Sequence, residues 1–443
     1  MKTRILNFYA ALRASYWYIP LLMTVMAILL SIVAMQIDHY LSPTWLRKLG
    51  LFHYNNPEGA RAFLTTIASS MITVAGVTFS MTILAVSFAA SQIGPRLTSN
   101  FMRDRPNQIT LGTFIATYVY CLMTLRNVLN TAEGGLFVTI GREAFVPQVS
   151  LLIAVILTFC SILVLIYFIH HIPESINMSN VIAKVGEDLN RQVGHLFPMN
   201  IGKECPDKNV DIQDTLHQHY DAIVSTTHGY IRILDGNSLI KTARNHQVIL
   251  KLEVRPGSYV TEKTTLIHVY SKEKITDSLA GECISAFAFG HRRNQEQDIL
   301  FLVNEMVEII ARALSPGVND PFTAMTTIDW LQLFLEQASK TCEHSPYRYD
   351  KDDNLRLIIK PILFSEFCDM IFSRIQPYVS RDRNVTLHMM QMIVNIHAAI
   401  AEKTHQLVLV EHARALKNAA EECLPIKADR ELVRLHYEKY FQV

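Results

Sequence analysis

The sequence is short of charge. Asp, Glu, Lys and Arg supply 18% of its 443 residues, where soluble proteins carry about a quarter. That shortage predicts a membrane part beside a soluble one. The net charge of +1 leaves no concentrated basic surface, which argues against nucleic acid as a partner. Cysteine is sparse and scattered: Cys121, Cys160, Cys205, Cys283, Cys342, Cys368 and Cys423 form no CxxC pair, and their odd count suits a reducing compartment better than a disulfide framework. HExxH, the P-loop and G-x-S-x-G are all missing. No acid–base or nucleophile constellation takes their place, so neither catalytic residues nor a cofactor are expected. Metal ligation finds little support either. His170 and His171 are adjacent, so on a helix they point about 100° apart. His217-Gln218-His219 has no Cys or carboxylate cluster beside it.

What the chain does have is long apolar runs. Four of them predict transmembrane helices at about 14–37, 62–92, 109–126 and 149–171. The first opens on Tyr16-Trp17-Tyr18, an aromatic belt, and is too long, with no small-residue cleavage site, to be a signal peptide. Lys2, Arg4 and Arg13 precede it, and Arg96, Arg103 and Arg105 lie between the second and third runs. The positive-inside rule puts these groups, and with them both termini, in the cytoplasm, against a weaker pull from Arg47, Lys48 and Arg142. No ionisable residue falls inside the core of any span. This disfavours proton relays, voltage sensors and coupled transport but leaves room for a passive channel or a membrane-anchored scaffold.

The second run organises the reading. At ~1.5 Å per residue, a helix from Ala62 to Gln92 reaches about 45 Å, more than the ~30 Å hydrocarbon core. Ala62, Thr66, Ser69, Thr73, Gly76, Ser80, Ser87 and Ser91 recur at spacings of three and four, with Leu84 at the one skipped rung, so they share a face. Two readings stand side by side. Small and hydroxylated residues allow close helix packing, and in an oligomer the same face can line a water-filled path with Ile83 and Leu84 as a dewetting constriction. Thr78 and Thr82 fall on the opposite side, where each hydroxyl can bond a carbonyl of its own helix.

Beyond the spans, Ile176, Val181, Ile182, Val185, Leu189 and Val193 form the apolar stripe of an amphipathic helix entered after Pro173. Between Ala222 and Tyr270 the period changes to two, punctuated by Gly236 and Arg255-Pro256-Gly257, which predicts a compact β module. The run from Pro256 to Leu266 resembles the strand–turn–strand of biotinyl/lipoyl-like barrel-sandwich domains, without the Lys that would carry their cofactor. From Ile275 the chain reads as helical to its end, with helices over 277–289, 295–314, 321–340, 355–379, 385–424 and 429–440. The domain division is thus 1–173 transmembrane, 174–221 linking helix and linker, 222–274 β module and 275–443 helical domain. One loop is a candidate ligand site: Arg292, Arg293 and Arg312 meeting an anion or lipid head group near Asn319 and Asp320. The competing reading is a helix–helix corner in which Asp320 caps the helix opened by Pro321.

The runs Thr65–Val77, Ser91–Arg96, Leu111-Gly112-Thr113-Phe114, Tyr167–Ile172 and Ala313–Ala324 resemble a family of bacterial integral membrane proteins of unknown function. The resemblance implies a bacterial cytoplasmic (inner) membrane protein with an N-terminal membrane half and a soluble C-terminal half; it implies no activity. The fold class expected is membrane α-helical with four spans, plus a cytoplasmic α+β region. The function expected is a homo-oligomeric channel or pore-like transport protein, its second span lining the axis and the lipid bilayer and further copies its partners. The alternative is a membrane-anchored scaffold or sensor whose soluble half binds a partner or small ligand.

Overall fold

The computed structural model describes residues 15–40, 57–92, 104–128, 146–194, 197–204, 220–341 and 344–441. Lys2, Arg4, Arg13, Arg47, Lys48, Arg96, Arg103, Arg142, His217 and His219 lie outside these residues, as does the predicted helix end at Gly94-Pro95. The chain divides into two compact units, with the change at Asn177 and Met178.

Among the described residues of the first unit four helices are long and apolar enough to cross a membrane: α1 Tyr18–Tyr40, α2 Pro57–Gln92, α3 Arg105–Leu125 and α4 Gln148–Ile176. Pro173 is carried inside the last turn of α4. The bundle is centred on α3 rather than on α2: half of the α3 span is buried, against 22–28% of the others. Polarity explains the difference. Thr110, Thr117 and Thr124 are buried on α3, and in a hydrocarbon solvent the more polar helix is the one that gains most from neighbours. The Thr117 hydroxyl lies 3.1 Å from that of Ser161 on α4, and the Tyr120 hydroxyl donates to the Ser150 carbonyl at 3.1 Å. Gly112 lets α1 come close, since a Cβ there would sit 2.5 Å from Met23 Sδ and 3.2 Å from Pro20 Cα.

The second unit opens with α5 Met178–Val193, whose buried residues Val181, Ile182, Val185, Leu189 and Val193 are the stripe expected from sequence. Two sheets follow. The larger runs in the order β1-β5-β3-β8-β7, built from Tyr220–Val224, Thr265–Tyr270, Ile249–Leu252, Leu355–Ile358 and Tyr347–Tyr349. Its neighbours are antiparallel except β3 and β8. The smaller is antiparallel, β4-β2-β6, from Tyr259–Val260, Gly229–Leu234 and Phe287–Gly290. Leu250, Leu252, Ile267, Val269 and Leu357 pack together in one core with Leu239 and Ala243 of α6 (Gly236–Asn245) and Leu279 of α7 (Asp277–Ser285).

The expectation that the chain is helical from Ile275 to its end holds only in part. The predicted 277–289 helix stops at Ser285 and continues as β6, and 355–358 is β8 rather than a helix start. Both strands are short runs beside helical sequence, whose place is decided by sheet partners distant in the chain. The remaining helices are α8 Ile299–Ala313, α9 Pro321–Thr341, α10 Phe364–Cys368, a π turn at Asp369–Ser373, α11 Arg374–Val379, α12 Arg383–Ala399, α13 Lys403–Cys423 and α14 Lys427–Phe441. The helix predicted over 385–424 is two helices broken after Ala399.

Candidate functional site

The face of α2 singled out from sequence points away from the rest of its own chain. Thr66, Ser69, Thr73, Gly76, Ser80 and Ser87 are all exposed, and Leu84 is 71% exposed. Ser91 lies in α2, but its side chain is outside the described residues. The opposite face is the one that packs: Leu64, Ala68, Met71, Ala75, Thr78, Thr82 and Ala85 are buried. Packing within the chain therefore does not use the stripe. Its hydroxyls are turned onto their own backbone. Thr66 donates to the Ala62 carbonyl at 2.7 Å, Ser69 to Thr66 at 3.1 Å, Thr73 to Ser69 at 2.8 Å and Ser80 to Gly76 at 2.9 Å. Such bonds make a hydroxyl tolerable in an apolar setting.

The outward faces of the neighbouring helices are built differently. On α1 they carry Leu21, Leu22, Val25, Met26, Leu29 and Val33, and on α4 Ile156, Phe159, Leu163, Ile166 and Ile169. Those are bulky apolar surfaces of the kind that lipid solvates. α2 also exposes Ile72, Val77, Phe79, Met81, Ile83 and Phe88, but beside them runs a row of exposed Ala62, Thr66, Ser69, Thr73, Gly76, Ser80 and Ser87.

Three polar links at the ends of the bundle were not foreseen. Asp38, 6% exposed near the end of α1, accepts the N–H groups of Val149 and Ser150 at 2.8 and 2.9 Å, so it caps α4 from another helix. Arg61 donates twice to the Val128 carbonyl beyond the end of α3, at 2.9 and 3.2 Å. His171 lies 2.7 Å from Asp104, which precedes α3, while His170 lies 3.3 Å from Glu174. The two adjacent histidines thus serve different partners. A carboxylate at the end of an apolar run was the available signal for Asp38; its partner more than a hundred residues away was not.

The second candidate site is not one place. Arg293 is held by Asp298 through two bonds of 2.7 and 2.9 Å, just before α8 begins. Asp298 also caps α8 at the Phe301 N–H and rests on Gly257, where a Cβ would come within 2.1 Å of its Oδ2. Arg292 is exposed. Arg312 sits in the last turn of α8 with Glu308 at 3.6 Å. Fourteen positions separate Asp298 from Arg312, about 20 Å along a helix, so the two arginines cannot share a ligand. Asn319, at φ 51°, and Asp320 form the corner into α9, where the Asp320 carboxylate accepts the N–H and hydroxyl of Thr323 at 3.1 and 2.6 Å.

Two buried arginines lock the β7–β8 edge. Arg348 Nη1 donates to Glu204 at 3.0 Å, and Arg356 Nε to Asp350 at 2.8 Å. Burial pushes the Glu204 carboxyl upward, but the Ser345 N–H, Arg348 and His344 outweigh it and hold the group below its usual range. Burial likewise opposes, and Arg356 with the Asn354 and Asp352 N–H groups overcomes, in the case of Asp350. Cys283 is buried, which pushes its thiol up to about 12. At neutral pH it is inert. Among the described residues no group of three or more His, Cys, Asp or Glu side chains gathers as a metal site.

Residues 13–395 match the model of a family described as predicted membrane protein, DUF2254. An uncharacterized protein of Mycobacterium tuberculosis is 26% identical over 387 residues, covering 86% of this chain and 72% of its own length. One of Mycobacterium bovis is similar to the same extent. No solved structure matches at a significant level. The chain belongs to the DUF2254 family of predicted membrane proteins.

Proposed function

We propose, with that membership as the premise, that the chain is a subunit of a homo-oligomeric channel or pore-like transport protein in a bacterial cytoplasmic membrane. The α2 helices of several copies turn Thr66, Ser69, Thr73, Gly76, Ser80 and Ser87 toward a common axis, with Leu84 as the constriction. One observation carries this reading: of α1, α2 and α4, α2 is the helix whose described outward surface sets a row of small and hydroxyl-bearing residues among its bulky apolar ones. A lipid-facing surface gains nothing from such residues, whereas a helix of another copy, or water along an axis, does. The absence of ionisable groups along the stripe fits passive passage rather than coupled transport.

Planar-bilayer conductance of the purified chain tests it. Channel openings that grow when Leu84 is replaced by Ser are expected, together with an oligomer in mild detergent. A chain that stays monomeric and silent overturns it. The second reading, a membrane-anchored scaffold or sensor, draws on exposed Leu432 and Leu435 of α14, a surface suited to a protein partner. In that case Ser80→Leu alters assembly and no conductance exists to be lost.

A further inference from the structure

The corner between α8 and α9 is an apolar tip on the soluble unit. Phe322 is 76% exposed and Val318 42%, with Pro316 and Gly317 exposed between α8 and Val318. Four N–H groups of the tip are hydrogen-bonded from within. The N–H of Ser315 donates to the Arg312 carbonyl, those of Val318 and Asn319 to Ser315, and that of Asp320 back to Ala313 at 2.7 Å. A turn that keeps these hydrogen bonds leaves fewer polar groups to orphan when it leaves water. Among the described residues nothing covers the exposed parts of these two side chains, so the question is what does.

The packing of α5 supplies the answer. Gly186 lies against the Trp330 ring of α9, so close that a Cβ would be 2.5 Å from it. Gln192, farther along α5, donates to the Gln295 carbonyl at 2.9 Å, just before α8. Since α8 and α9 form an antiparallel pair closed at Ala313 and Asp320, α5 runs in the same direction as α9. Gly186 is eight residues after Met178, and Trp330 eight after Phe322. Met178 and Phe322 therefore stand at the same end of the helix layer. Met178 is also where this unit is joined to α4, through Asn177 alone. From His171, at the polar end of the last apolar run, to Met178 is about 10 Å of helix, and the headgroup zone accounts for about 5–8 Å of that.

We propose that the α8–α9 corner, led by Val318 and Phe322, is a membrane contact of the soluble unit, an apolar wedge that enters the headgroup region of the bilayer. Aromatic and aliphatic side chains exposed side by side are the composition that interfacial binding uses. The proposal goes beyond the pore reading and does not depend on oligomer formation.

The test uses the full chain in nanodiscs of phosphatidylcholine and phosphatidylglycerol in equal parts, with ordinary or brominated acyl chains. Phe322→Trp, or Val318→Trp as a second reporter, adds emission over that of the native tryptophans. Leu407→Trp is the control. Leu407 is exposed near the start of α13, and α12 runs alongside α9 (His388 at Asp329, Asn395 at Gln332), which puts the α12–α13 corner at the opposite end. The added emission at 322 or 318 is expected to be blue-shifted and quenched by brominated lipid, and that at 407 neither. Emission as red and as unquenched as at 407 overturns the proposal. Blue-shifted but unquenched emission also overturns it, and assigns the tip to a protein surface instead.

Discussion

Asp38 and Ser150 join the end of the first apolar helix to the start of the last: the Asp38 carboxylate accepts the Ser150 N–H at 2.9 Å and its hydroxyl at 2.7 Å. A negative group at a helix N-terminus also meets the positive end of its dipole. Losing an N-cap costs about 0.5–2 kcal/mol, and here three donors lose their acceptor in a buried place. Asp38→Ala is expected at the upper end of that range, about 2 kcal/mol, with Asp38→Asn milder. Denaturant titration in detergent checks it.

At Gly112 the cost comes from bulk. Ala puts a Cβ against Met23, whose thioether can move, and against the Pro20 backbone, which must give by a few tenths of an ångström. Overpacking costs about 1–3 kcal/mol, so Gly112→Ala should sit at the low end and Gly112→Leu at or above the high end. Melting temperatures of the two variants give the order.

Arg292 and Arg293 are neighbours with opposite expectations. Breaking a buried ion pair costs about 3–5 kcal/mol, and the partial exposure of Arg293 trims this to about 2–3. Arg293→Ala should therefore destabilise the second unit by that amount, while Arg292→Ala stays within ~0.5 kcal/mol of the parent. Equal effects of the two would contradict the assigned pairing with Asp298.

His412 makes stability depend on pH. It lies 3.3 Å from Asp369 in the π turn and packs at a tilt against Phe372, ring centroids 5.1 Å apart. Burial lowers its pKa below the usual histidine value, and Asp369 and Glu411 only partly offset this. In the unfolded chain the ring gains a proton as pH falls through about 6.5, in the folded chain only lower. The unfolded state thus binds more protons in that interval, so stability is full above it and declines as pH drops toward the folded pKa. His412→Gln should flatten the fall in melting temperature as pH drops through about 6.5. An unchanged slope would show that other groups carry it.

The membrane helices were legible because length and lack of charge are properties of a contiguous run. So were α5 and the strands around Ile231, Leu250 and Ile267, where periodicity is local. The three strands β6, β7 and β8 were not: each is short, and only pairing with Leu234, Leu250 or Leu357 across the fold makes it a strand. The α2 face was visible as a stripe, but not its direction, because a helix's period reports which residues share a side and not which side meets a neighbour. The same limit hid the centre of the bundle. The threonines of α3, buried against its neighbours, mark the helix with the largest share of its span covered. Arg293 and Arg312 seemed associable because a sequence shows separation along the chain and not the length of the intervening rod.

The outward hydroxyls of α2 have already committed their hydrogens to carbonyls one turn back. What Thr66, Ser69, Thr73 and Ser80 can still offer is lone pairs. A conduit walled by them would be a file of oxygen acceptors with no donors, hospitable to sodium, potassium or water and indifferent to chloride. Reversal potentials across a salt gradient would read that preference directly.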